Sequence, residues 1–151
     1  MTTRAPAGAP AVSPQPGPAR TGSARGSAVG GVAAAAWAST QLNLPYVWGA
    51  TGPDAYDCSG LTMRAWQLAG VAIPRTSRDQ YTAAAKIGYA DLRPGDLIFW
   101  GTDPLDPATI YHVAMWVGGG QIVEAARPGV PSRITPMGNR WANTMAYAGR
   151  P

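Results

Sequence analysis

The chain has 151 residues, 46% hydrophobic and 13% charged, with a formal net charge of +4. That length suits one domain with a buried core, and the single cysteine excludes an internal disulfide. One cysteine and one histidine also exclude a Cys/His zinc site, which needs about four ligands in paired spacing.

Charge gives little guidance to partners. Arg4, Arg20 and Arg25 place much of the basic excess in the first 25 residues, and no basic patch interleaved with aromatics points to nucleic acid. Residues 1–27 are Ala, Pro, Gly, Ser, Thr and Arg with almost no large apolar side chain. Such a composition predicts a disordered tail or linker, with the domain proper over 28–151.

Val29 to Ala38 is apolar but lies too far from Met1 for a signal peptide. It predicts a first helix over about 28–42. No segment reaches the length of a membrane span, and an export signal is not visible in the chain.

An extended, turn-rich stretch follows Pro45. Asp57 suits a helix N-cap, and Leu61, Ala65, Trp66, Leu68 and Ala69 form a helical stripe that Gly70 ends. Ser77-Arg78-Asp79-Gln80 has the form of a capping box and predicts a further helix closing near Gly88. Beyond it the period changes. Asp96 to Trp100 reads as a strand after the Pro94-Gly95 turn, residues 112–117 and 121–126 as a hairpin around Gly118-Gly119-Gly120, and Asn143–Ala148 as a last strand. Helices first and an antiparallel sheet after them give an α+β fold.

Any thiol–imidazole chemistry must use Cys58 and His112, since the chain has no other cysteine or histidine. A thiol reacts as its thiolate, an anion favoured at a helix start, and histidine accepts and donates protons near neutral pH. A three-residue Gly118–Gly120 loop pairs Val117 with Gln121 and Ala114 with Glu124, placing Glu124 diagonally beside His112 on one face. Glu124 inside an apolar strand needs a partner, and the imidazole is the candidate. The expected constellation is Cys58 as nucleophile, His112 as base and acid, and Glu124 as orienter.

Residues 29 to 150 resemble an NlpC/P60 domain, the papain-like peptidases of bacterial cell-wall peptides. The matching stretches are Leu44-Pro45-Tyr46-Val47-Trp48-Gly49, Asp57-Cys58-Ser59-Gly60, Pro74-Arg75-Thr76-Ser77 with Gln80, Leu92-Arg93-Pro94-Gly95-Asp96-Leu97, and His112-Val113-Ala114. Two positions depart from the usual pattern: Ala50 where a second glycine is common, and Glu124 where His, Asn or Gln is frequent.

The resemblance implies a papain-like fold, helices packed on a central antiparallel sheet, with no cofactor or metal. It implies cleavage of the D-γ-glutamyl–diamino acid (meso-diaminopimelate) bond of peptidoglycan stem peptides by a secreted or wall-associated enzyme, acting as a monomer. Tyr46 would line the site near Cys58, Ser59 would contact substrate, Asp57 would belong to the same oxyanion and substrate-binding set, and Arg75 and Ser77 would border the cleft. Arg75 and Arg127 are candidate partners for substrate carboxylates. An amidase or acyltransferase of the same fold, or a non-catalytic wall-binding module, are the alternative readings.

Overall fold

The computed structural model describes residues 24–151; of the expected tail over residues 1–27, residues 1–23 lie outside them. Where the description begins, Arg25 donates to the Ala72 carbonyl at 3.1 Å and Gly26 N–H to the Pro151 carbonyl at 2.9 Å. Ser27 caps α1 (Ala28–Ala38) by accepting from Gly30 N–H. The helix stops at Ala38 and does not run on to 42. Ser39 and Thr40 turn their hydroxyls onto the carbonyls of Ala35 and Trp37, an alternative to helical continuation that serine and threonine favour.

Helix α2 (Cys58–Leu68) starts and ends where the stripe places it, with Asp57 as N-cap and Gly70 at φ +90 after the last turn. Helix α3 (Ser77–Ala83) differs from expectation at both ends. Thr76, not Ser77, caps it by accepting from Asp79 N–H. It closes at Ala83, because Ala84 turns extended and β1 (Ala85–Ile87) pairs antiparallel with β6 (Ala148–Arg150). Strand pairing here overrides the helical preference of alanine.

The other strands are β2 (Leu97–Gly101), β3 (Ile110–Gly118), β4 (Gln121–Glu124) and β5 (Arg133–Pro136). They form one six-stranded sheet in the order β1-β6-β2-β3-β4-β5, with antiparallel neighbours. Three corrections follow. Strand β5 was not expected. The last strand is Ala148–Arg150, while Thr144 and Met145 only bridge the end of β2.

The hairpin tip also differs. Met115 and Trp116 oppose Val123 and Ile122 in the expected register, but Gly118 rather than Val117 opposes Gln121. A bulge at Val117 leaves Gly119 and Gly120 as a two-residue turn with φ +63 and +77. Positive φ at both central residues is what the tight hairpin turn demands, hence glycine. The bulge restores the parity that a two-residue loop alone would lose.

Each face of the sheet carries its own core. Leu97, Phe99, Val113, Met115 and Val123 pack with Ala34, Ala38, Leu61, Ala65 and Trp66 of α1 and α2. On the reverse face Ile98, Trp100, Ala114, Trp116 and Ile122 meet Tyr89, Met137 and Trp141. Trp66, 1% exposed, still satisfies its indole N–H on the Gly95 carbonyl at 3.0 Å, as a buried donor requires. Among the described residues no helix is long and apolar enough to cross a membrane.

Candidate active site

The start of α2 is built around Asp57. Its carboxylate accepts from Gly60 N–H at 2.7 Å, from Gly49 N–H at 2.8 Å, and from both terminal nitrogens of Arg75 at 3.1 and 2.7 Å. One buried side chain therefore caps the helix, anchors the 46–57 loop and holds a guanidinium. Gly60 is needed for close approach: a Cβ there would lie 2.2 Å from the Ala50 carbonyl oxygen, which itself accepts from Asp57 N–H at 3.0 Å. Ala50, where a second glycine is common in the resembling family, keeps a negative φ and sits without strain.

Cys58 is the first helical residue and half-buried. Ser59 behind it is buried and accepts from Arg75 at 2.8 Å. Gln80 donates to the carbonyls of Ser59 and Pro74 and accepts from Thr62, tying α3 to the first turn of α2. Arg75 is thus engaged inside the scaffold by Asp57 and Ser59. Ser77 is the half-buried first residue of α3, and Arg127 lies exposed on the turn after β4.

His112 comes from the other side. It lies on β3 opposite Trp100, whose ring centroid is 5.1 Å from the imidazole. Its Nε2 meets Glu124 Oε1 at 2.8 Å. Cys58 lies close enough to strengthen the ring's hold on a proton, and Nδ1 is the nitrogen left for that thiol. Sulfur, imidazole and carboxylate, from α2, β3 and β4, thus come together in one place. Burial disfavours the imidazolium, but Cys58 and Glu124 outweigh it, and His112 is raised above its ordinary value. Tyr46 is half-buried in the loop before Cys58; burial, then the proximity of Cys58 and Asp57, raises its phenol, which stays protonated.

Two residues that the sequence reading left out complete the cluster. Glu124 Oε2 accepts from Arg133 at 3.1 and 3.0 Å and from Arg140 at 2.6 Å, and Arg140 also reaches Oε1 at 2.8 Å. Burial alone would raise the Glu124 carboxyl; the bonds from His112 and Arg140 win and hold it well below the usual carboxylate range. Arg133 sits directly opposite Glu124 in the β4–β5 register, a cross-strand charge pair legible only once β5 is known. Arg140 lies in irregular chain and carries no periodic signal. Among the described residues no three His, Cys, Asp or Glu side chains group to hold a metal ion.

Comparison with known proteins identifies the family. The NlpC/P60 family model matches residues 43–150. The chain belongs to the NlpC/P60 family. A probable endopeptidase of Mycobacterium tuberculosis is 37% identical over 100 residues, 66% of this chain and 24% of that protein. The probable endopeptidase p60 of Listeria grayi is 36% identical over 113 residues, 75% of this chain and 21% of that protein. This NlpC/P60 chain therefore spans about a quarter or less of the length of these two relatives. Among solved structures, the peptidoglycan hydrolase RipB from Mycobacterium tuberculosis superposes with a TM-score of 0.69 at 33% identity, covering 82% of this chain and 65% of that one. The mixed α+β fold, helices against an antiparallel sheet, is that of NlpC/P60 domains.

Proposed function

We propose that the chain is a cysteine peptidase of cell-wall peptides, with residues 28–151 as its catalytic unit. The observation that carries this is the relay from Cys58 at the start of α2, through His112, to the buried Glu124. Kinship with a peptidoglycan hydrolase supports peptidoglycan as substrate and the cell wall or exterior as its place of action.

In this mechanism His112 Nδ1 takes the thiol proton and Cys58 Sγ attacks the γ-carbonyl of D-glutamate. The oxyanion is held by Cys58 N–H and by the Tyr46 hydroxyl, which its raised titration keeps available as a donor. His112 then protonates the departing amine of meso-diaminopimelate. Water, activated by the same imidazole, releases the acid from the thioester. Glu124 fixes the ring through Nε2, so that Nδ1 always faces sulfur. Arg75 serves the site indirectly, by holding Asp57 and Ser59 around the nucleophile.

The test is digestion of purified wall peptides followed by mass spectrometry. A peptidase of this specificity frees an amino group on diaminopimelate, and Cys58→Ala stops the release while the fold persists. Undiminished release by Cys58→Ala would end the mechanism. Release at the lactyl-amide bond would make the enzyme an amidase, and wall sedimentation without fragments a binding module.

A further inference from the structure

A free carboxylate beside an imidazole stabilises the imidazolium. Glu124 is not free. Its side chain is fully buried, and five donor nitrogens occupy it: His112 Nε2, two of Arg140 and two of Arg133. Those bonds leave no vacant acceptor position, given that a carboxylate offers about four lone-pair sites. Oε1 is shared between His112 and Arg140, each at 2.8 Å, so the two nitrogens stand no more than twice that distance apart.

Arg140 also reaches the imidazole by a second route. Its guanidinium lies 5.1 Å from the centre of the Trp100 ring, its backbone carbonyl accepts the Trp100 indole N–H at 2.7 Å, and Trp100 packs against His112. The ring is thus framed by two groups that Arg140 holds.

Charge bookkeeping gives the consequence. With His112 neutral, Glu124, Arg133 and Arg140 sum to one positive charge; ionising the ring makes it two. The other groups near the ring are the Cys58 thiol and, beyond it, Tyr46 and the mutually paired Asp57 and Arg75. Until the Cys58 thiol gives up its proton, none of these offsets the arginine excess. Like charges in a buried site disfavour ionisation.

We propose that Arg140, assisted by Arg133, is a positioning residue that occupies the Glu124 carboxylate, so that Glu124 orients His112 without fixing it as an imidazolium. This rests on the cysteine-peptidase reading above. The glutamate–arginine clamp then weakens, without abolishing, the pull of Glu124 on the His112 proton. A ring so held gives its proton readily to a leaving amine. Arg140 is the stronger of the two, being 29% exposed against 40% for Arg133 and bonded to both carboxylate oxygens.

The chain has one histidine, so its imidazole resonances report this ring alone, and no substrate is needed. Arg140→Gln should raise the pH midpoint of the His112 titration by about one unit, and move the acid limb of kcat/KM on wall peptides up with it. Arg140→Lys keeps the charge but loses the fork: its midpoint should stay near the parent's while kcat falls. If Arg140→Gln does not fold, Arg133→Gln carries the same test with a smaller upward shift. An unmoved His112 midpoint in the folded glutamine variants would overturn the proposal. So would unfolding of both, which would assign the arginines to the fold and not to the ring. A protein that cleaves no wall peptide yet shows the NMR shift would refute the peptidase reading while leaving the clamp standing.

Discussion

Asp57 carries more of the site than its position before the nucleophile suggests, and replacing it with alanine measures how much. The change removes a helix cap, worth about 1 kcal/mol. It strands the Gly49 N–H, whose lost acceptor costs about 1–3 kcal/mol if water does not replace it. Arg75 loses its ion pair too, but its side chain is 36% exposed, so solvent compensates and the loss stays below about 1 kcal/mol. The sum is about 2–5 kcal/mol, which for a domain of this size lowers Tm by roughly 10 °C. Asp57→Asn keeps an acceptor oxygen for the cap and should cost only about 1 kcal/mol. Circular-dichroism melts of the two variants, with iodoacetamide alkylation of the single thiol alongside, make the assay. The alanine variant should also alkylate more slowly, because the start of α2 is no longer held against the 46–57 loop. A Tm for Asp57→Ala within about 2 °C of the parent would refute the account of Asp57 as the organiser of this turn.

Gly60→Ala should disturb the same turn from the other side. Its Cβ would stand 2.2 Å from the Ala50 carbonyl oxygen, a backbone atom that cannot rotate away; a lowered Tm with slowed Cys58 alkylation is expected, and parental values in both would contradict the close approach. Tyr46→Phe removes one donor to the proposed oxyanion and should reduce kcat on wall peptides about 100-fold or more with KM little changed; an unchanged kcat would remove Tyr46 from the mechanism. For pH, the folded Glu124 carboxyl titrates below its ordinary 4.5. It therefore contributes stability above that value, lost as pH falls toward the depressed folded one. Between about pH 5 and 2 the Tm of the parent should fall more steeply than that of Glu124→Gln. Parallel profiles would deny the linkage.

The sequence disclosed some parts of the molecule because the physics there is local. Asp57, Cys58 and Gly60 announce a capped helix start through residue type alone. The three glycines at 118–120 and the alternation around them gave the β3–β4 register, and with it the meeting of His112 and Glu124. The loop itself is two residues long, and the bulge at Val117 supplies the parity that a three-residue loop was expected to give. Other parts were set by partners distant in sequence. Ala85–Ile87 reads as helix by composition and becomes strand because β6 pairs with it. Strand β5 is a short, proline-ended edge strand with little alternation to betray it. Without β5 the register that sets Arg133 against Glu124 was invisible, and Arg140 reaches the carboxylate from a stretch with no repeating pattern. The orienter was therefore legible and its clamp was not. Arg75 shows the reverse case, a basic residue beside a cleft that invites a substrate role and whose guanidinium is already held by Asp57 and Ser59.

The account turns on proton exchange between Cys58 and His112, and the chain's one cysteine makes this measurable without any substrate. At neutral pH the parent should be alkylated faster than His112→Ala, because the imidazole takes the thiol proton as the sulfur attacks. Equal alkylation rates in the parent and in folded His112→Ala would contradict the central claim.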